Sequence, residues 1–329
     1  MTLAASVDET FLTMVEPLRG ELTAHCYRML GSVHDAEDLV QETYLRAWKA
    51  YHNFENRSSV RTWMYQIATN ACLSALQSKH RRTLPTGVGQ PSGPPTGDLE
   101  TRREEAWLEP LPDSVVWQRA AEDPGAAVVS RESVRLAFVA ALQHLTPPQR
   151  AVLLLRDVLA WQASEVAAAL DLSVAAVNSS LQRARAQLAK LDPEADARSD
   201  PRDDERTTQL LEDYVAAFEA YDVDRIIALL TSDAVWEMPP FTAWYRGAAA
   251  IHTLISNYCP ASGPGDQRMV PVSANGQPAF GLYMRGDDGV HRAFHLQQLE
   301  IRDGRVSHVV AFFDTTLFEK FGLPATLPA

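Results

Sequence analysis

WQASEVAAALDLSVAAVNSSLQRARAQLA, residues 161–189, reads as two helices around a tight break at Asp171-Leu172-Ser173. Ser173 is a good N-cap for the second helix, and Val177, Leu181 and Leu188 recur at helical spacing as its inward stripe. The small side chains of Ala167 and Ala168 let the two helices approach closely. This is the pattern of a helix-turn-helix, whose second helix enters the DNA major groove, although any αα-hairpin shares it.

Working outward, the break after this hairpin is abrupt. Residues 192–206 (DPEADARSDPRDDER) are charged, Pro-interrupted and without an apolar face, which reads as an acidic linker. Upstream, residues 84–98 (LPTGVGQPSGPPTGD) are Pro/Gly-rich and read as irregular. The chain therefore parses into a first module at 8–83, a linker at 84–129, a second module at 130–191, the acidic linker at 192–206 and a third module at 207–329. At roughly 150 residues per domain, the 329 residues accommodate two or three domains.

Composition narrows the class. Apolar residues make up 46% and charged residues 22%, the balance of a globular protein. No apolar run reaches the ~18–20 residues needed to span a membrane, and the N-terminus has no secretory pattern. Cys26, Cys72 and Cys259 lie far apart, with neither a disulfide framework nor metal-ligand spacing. A reducing, cytoplasmic compartment is expected, with no cofactor, no metal and no membrane partner. The net charge of −12 argues against nucleic acid only until it is mapped. Residues 131–191 carry +3 whereas 207–329 carry −6, and cations cluster at Lys79–Arg82 and Arg183–Lys190.

In the first module, DAEDLVQETYLRAWKAY (35–51) places Ala36, Leu39, Val40, Tyr44, Ala47 and Trp48 on one stripe, with Asp35 as N-cap and Asp38, Gln41, Glu42 and Arg46 opposite. A second helix over about 59–82 turns Val60, Trp63, Ile67, Ala71 and Leu76 inward and ends in Lys79-His80-Arg81-Arg82. The third module opens with helices at 207–220 and through Ile226–Leu230. Strand-like runs follow at 234–238, 269–273, 279–285, 291–301 and 305–313, with Asp303-Gly304 as a hairpin turn. Helices followed by an antiparallel sheet imply α+β.

Three stretches, DAEDLVQETYLRAW (35–48), SSVRTWMYQIATNACLSAL (58–76) and LTPPQRAVLLLRDVLAWQASEVAAALDLSVAAVNSSLQRARAQL (145–188), resemble domains 2 and 4 of the extracytoplasmic-function RNA polymerase sigma factors. Residues 207–329 resemble the SnoaL-like, ketosteroid-isomerase-like cone, and the whole layout resembles the SigG/SigJ type. The fold this implies is multidomain: two all-α sigma domains plus an α+β cone. The function it implies is an alternative sigma factor that binds core RNA polymerase and promoter DNA.

The resemblance assigns Asp38, Gln41 and Glu42 to the polymerase β′ clamp helices. It assigns Trp63, Tyr65, Gln66, Asn70, Lys79, Arg81 and Arg82 to the melted −10 element, where bases need stacking surfaces, polar edges and cations. Ser173, Ala176, Asn178, Ser179, Gln182 and Arg183 fall to the −35 element, with Asn and Gln suited to adenine and Arg to guanine. Asn178 and Ser180 stand where the family pattern has cations, which weakens sequence-independent attraction. No anti-sigma partner is assigned.

In the cone, Tyr214 falls where the isomerase has its oxyanion tyrosine, but the general-base aspartate maps to Met238 and the second acid maps near Gln297. Glu237 is out by one residue and points to the other face of a strand. Proton abstraction needs a positioned base, so no catalytic residue is assigned. Tyr214, Trp236, Met238, Trp244, Tyr258, His295 and Gln297 are expected to line a pocket for a small apolar ligand. The competing reading, a helix-turn-helix regulator fused to an active SnoaL-like enzyme, leaves the first module unexplained.

Overall fold

In the computed structural model, which describes residues 10–54, 58–78, 81–93, 95, 97–102, 104–117, 131–191 and 205–328, two serines set where the long N-terminal helices begin. After α1 (Arg19–Leu30), Ser32 is extended and its side chain accepts from the Asp35 N–H, which starts α2 (Val33–Ala50). Asp35 is therefore in the first turn rather than the cap. Ser59 does the same through the Thr62 N–H for α3 (Val60–Ala75). This helix stops at Ala75, so Arg81 and Arg82 lie beyond it rather than in its last turn. Lys79 and His80 fall outside the described residues.

The chain forms two units, Met1–Arg82 with Leu108–Pro193, and Thr83–Trp107 with Glu194–Ala329. The first unit thus gathers both sigma-like modules. Its centre is α1, buried continuously from Leu22 to Leu30, as expected of a core helix rather than an amphipathic surface one. Gly31 ends α1 with φ +73°, and a Cβ there would sit 2.5 Å from the Leu108 side chain. Both the left-handed backbone and the close approach require glycine. The unit continues through α4 (Asp113–Trp117), α5 (Leu136–Leu142), α6 (Pro147–Leu153), α7 (Ala163–Leu170) and α8 (Val174–Leu191). Asp171 takes φ +53° between α7 and α8, and Ser173 Oγ accepts from the Ala176 N–H, giving the expected helix-turn-helix.

The second unit runs α9 (Glu205–Glu219), α10 (Val223–Ala228), β1 (Leu230–Glu237), β2 (Trp244–Arg246), α11 (Ala248–Tyr258), β3 (Gln267–Ala274), β4 (Gln277–Arg285), β5 (His291–Arg302), β6 (Arg305–Phe312), α12 (Leu317–Lys320) and β7 (Thr326–Leu327). The sheet order is β2-β1-β6-β5-β4-β3, with β7 on β5. It is mixed rather than antiparallel, because β1 and β6 run parallel. Two tight hairpins, Asp303-Gly304 and Asn275-Gly276, have positive φ at both central residues. One core joins Leu210, Tyr214 and Phe218 of α9 and Ile251, Leu254 and Ile255 of α11 to the sheet residues Trp236, Phe280, Leu282 and Leu299.

The irregular stretch before Leu108 is no loose spacer. Within the second unit the Thr86 N–H donates to Glu237 Oε2 (2.7 Å), Trp244 Nε1 to the Gly89 carbonyl (3.0 Å), and the Tyr258 hydroxyl to the Gly97 carbonyl (2.6 Å). Main-chain bonds join Arg102 N to Pro240 O and Thr242 N to Glu100 O.

Candidate functional site

α2 buries Ala36, Leu39, Val40, Thr43 and Ala47. Asp38 and Gln41 are exposed, and Glu42 is part-buried and bonds Arg46 Nη2 at 2.5 Å. Trp48, expected inside, is 49% exposed, as is Leu45 at 59%. The helix is rotated by the packing of α1 beneath it, so the acidic face continues into an apolar one. Sequence periodicity missed Leu45 and misplaced Trp48.

α3 also departs from the expected face, but in the opposite sense. Its buried residues are Met64, Tyr65, Ala68, Thr69, Ala71 and Cys72, whereas Val60, Trp63 and Ile67 are only partly covered. Tyr65, read as a base contact, is 1% exposed. Its hydroxyl meets Glu21 Oε2 at 3.1 Å and its ring meets the edge of Trp161, so it is a core residue with no face to offer a base. Trp63 instead stacks on Phe54 at 4.6 Å and 27°, leaving a half-covered aromatic pair at the surface. Gln66 is half-buried, Asn70 is exposed with its amide 3.5 Å from the Ala169 carbonyl, and Arg81 is exposed. Arg82 is engaged by Asp35 (2.9 Å) and Glu109 (3.3 Å), which removes it from the set of cations open to phosphate.

Glu109 was not found from sequence. It accepts from Ser32 Oγ (2.8 Å), lies 2.9 Å from His34 Nδ1 and pairs with Arg82, while its carbonyl accepts from the Tyr27 hydroxyl. A carboxylate over the first turn of α2 also complements the helix dipole. The signal available was an acid in an otherwise irregular Trp-Leu-Glu-Pro stretch, and nothing local gives its partners.

On α8 every residue read toward DNA lies away from the core. Val177, Leu181 and Ala184 are buried, while Ser173, Asn178, Ser179, Gln182 and Arg183 are exposed and Ala176 is intermediate. Leu188 is only partly covered. Arg185, on the same helix, is tied to Asp157 at 2.6 Å, and Leu172 and Val174 add exposed apolar surface at the turn.

In the second unit Tyr214, Gln297 and His295 form a buried chain. The Tyr214 hydroxyl donates to Gln297 Oε1 (3.0 Å), and Gln297 Nε2 lies 2.8 Å from His295 Nε2. Burial pushes the tyrosine hydroxyl well above its ordinary range and lowers the imidazole to about 3, so His295 is neutral. Its Nδ1 has no hydrogen-bond partner among the described residues. Glu237 faces the other way, as the strand alternation requires, with its carboxylate 2.7 Å from His308 Nε2. Burial opposes charge on His308, but the bonds to Glu237 and Glu300 prevail and raise it to about 9.

The residues expected to line an aromatic pocket are largely buried. Trp236 and Met238 are core residues, and Trp244 and Tyr258 bond the 83–107 segment. A cavity of about 630 Å³ opens instead between α9 and the β3–β4 hairpin, and none of the seven expected residues lines it. Among the described residues no cluster could hold a metal ion, and no helix is long and apolar enough to cross a membrane.

Residues 14–82 match the Sigma-70 region 2 family, 135–188 match Sigma-70 region 4, and 211–309 match the SnoaL-like domain. The chain is 60% identical to the ECF RNA polymerase sigma factor SigG of Mycobacterium tuberculosis over 317 residues, covering 96% of this chain and 85% of that one. It is 31% identical to SigJ of the same organism over 93% of this chain and 91% of that one. The crystal structure of SigJ superposes with a TM-score of 0.61 at 26% identity, covering 95% of this chain and all of that one. With both polymerase-type modules in order and such identity across nearly its whole length, the chain belongs to the extracytoplasmic-function RNA polymerase sigma factors: it is an alternative sigma factor, not an enzyme, that binds core polymerase, directs promoter recognition and carries a C-terminal SnoaL-like domain.

Proposed function

We propose that the SnoaL-like domain governs initiation by holding the segment that joins the two promoter-reading parts. The observation that carries this is the set of hydrogen bonds between residues 86–97 and the side chains of Glu237, which accepts, and Trp244 and Tyr258, which donate. A segment so held cannot adopt the reach of a free linker, and the spacing between the −10 and −35 readers depends on that reach. A small apolar ligand of the domain shifts the equilibrium if it binds the held and released states with different affinity.

In this reading Asp38, Gln41 and Glu42, with Leu45 and Trp48, meet the β′ clamp helices. Trp63, Gln66, Asn70, Lys79 and Arg81 serve the −10 element, and Ser173, Ala176, Asn178, Ser179, Gln182 and Arg183 serve the −35 element. The site of action is the cytoplasm, where core polymerase resides.

The test is run-off transcription with purified core polymerase. Thr86→Pro, which removes the N–H given to Glu237, changes transcript yield at limiting protein in the same direction as truncation after Leu191. Equal yields from all three proteins at every salt concentration would refute the regulatory role. Within the first unit, Asn70→Ala lowers open-complex formation more than core binding, and Asp38→Arg does the reverse. If neither variant altered transcription, these assignments would be wrong.

A further inference from the structure

The cavity between α9 and the β3–β4 hairpin is large enough for a small molecule, and its lining constrains the class. Its volume of about 630 Å³ is within the range of ligand pockets. Leu211, Val215, Met269, Pro271, Val272 and Phe280 supply an apolar lining. Among the described residues charge enters only as carboxylates: Glu212 and Glu219 are both lining residues, and no described Lys, Arg or His is among them. Glu219 accepts the Met269 N–H at 3.2 Å, whereas Glu212 is exposed on α9 with no hydrogen-bond partner among the described residues.

We infer that this cavity binds a cationic amphiphile, a molecule with an apolar body against Phe280 and Val215 and a protonated amine against Glu212. An anionic ligand would meet two like charges and no counter-charge. A peptide strand is a poorer occupant, because β3 is the last strand of the sheet order and Pro271 offers no N–H for strand addition. Occupancy reaches the interior through one side chain. Phe280 stacks on Tyr214 at 6.0 Å and 26°, and Tyr214 begins the buried chain to Gln297 and His295. The inference deepens the ligand reading above and depends on it only for the link to transcription.

The experiment measures binding of octylamine, octanol and octanoate to the full chain at neutral pH by titration calorimetry. Octylamine binds saturably and most tightly, octanol less so, and octanoate least. Glu212→Gln weakens octylamine by up to about fivefold, the size of one exposed ion pair, and leaves octanol unchanged. Ala216→Trp on the α9 wall and Ser273→Trp on the β3 wall each abolish binding of all three. Both positions line the cavity beside solvent, so the two variants do not share one route to misfolding. Octanoate binding as tightly as octylamine, no saturable binding of the amine, or indifference to both tryptophans would overturn the proposal. Since the readout is binding and not transcription, such a failure would leave the linker-holding role standing.

Discussion

In the first unit the buried charges are guanidinium groups held by neutral acceptors. Arg28 donates to Ser133 Oγ at 2.9 Å, with Nε and Nη2 lacking partners among the described residues, and Arg150 donates to the Met29 carbonyl, to Gln143 Oε1 and to the Leu145 carbonyl. Burial lowers both to about 10. In the second unit the buried charge is a carboxylate, Glu237, matched by the imidazolium of His308 and by the Thr86 N–H. Arg28 and Arg150 each bond across residues from distant parts of the chain, whereas Glu237 joins a sheet to an irregular segment. The first arrangement depends on geometry alone; the second depends also on pH. Each unit further contains a buried histidine that burial keeps neutral: His25, bonded to Thr69 Oγ1 at 2.9 Å, and His295.

The largest effect is expected from Arg150→Met. It leaves two carbonyls and the Gln143 amide oxygen without their donor, at ~3 kcal/mol or more in total. Hydrogen exchange should show the first unit opening more readily while amides of β4 and β5 keep their protection. Equal loss in both units would show that they do not respond separately.

Acid comes next and tests what the units share. Burial, with Arg28 adding to it, lowers His25 to about 3, and burial alone lowers His295 to about 3. Their unfolded values near 6.5 mean that the unfolded chain binds protons first as pH falls, so folding weakens below about 6.5. At pH 5 each histidine costs about 2 kcal/mol relative to neutral pH. Urea denaturation at pH 7 and pH 5 should show this loss, and His25→Gln should reduce it only in the first unit.

His308 moves the other way and tests what the units do not share. Its folded value of about 9 lies above the unfolded one, so its contribution is complete below about 6.5 and disappears as pH rises through 9. The ring is 26% exposed, and the expected loss in the second unit between pH 7 and pH 10 is about 1–2 kcal/mol. His308→Gln should flatten that slope; an unchanged slope would assign it to other groups.

The smallest effect is the surface control. Glu42 and Arg46 are each close to half exposed, so Glu42→Gln should cost less than about 0.5 kcal/mol. Any larger drop in polymerase affinity would then report a contact made by α2 and not a weaker fold.

The amino-acid sequence alone specified the elements whose cause is local. Asp171 and Ser173 announce the helix-turn-helix, and the spacing of Val177 and Leu181 orients α8 correctly, so its exposed face could be read residue by residue. Asp303-Gly304 fixes one hairpin, and Asn275-Gly276 carried the same signal for another. Tertiary structure decided what depends on partners far along the chain. α2 and α3 are covered on several sides by α1 and its neighbours, so a 3.6-residue period could not tell that Trp48 faces out and Tyr65 in. The parallel pairing of β1 with β6 joins residues some seventy positions apart, and no local pattern encodes it. Pro and Gly mark 84–98 as irregular, and among its described residues the structure has a single 3-10 turn at Pro85–Gly87. Whether such backbone is free or captured depends on donors and acceptors elsewhere, here Glu237, Trp244 and Tyr258, and only the folded chain brings those within hydrogen-bonding distance.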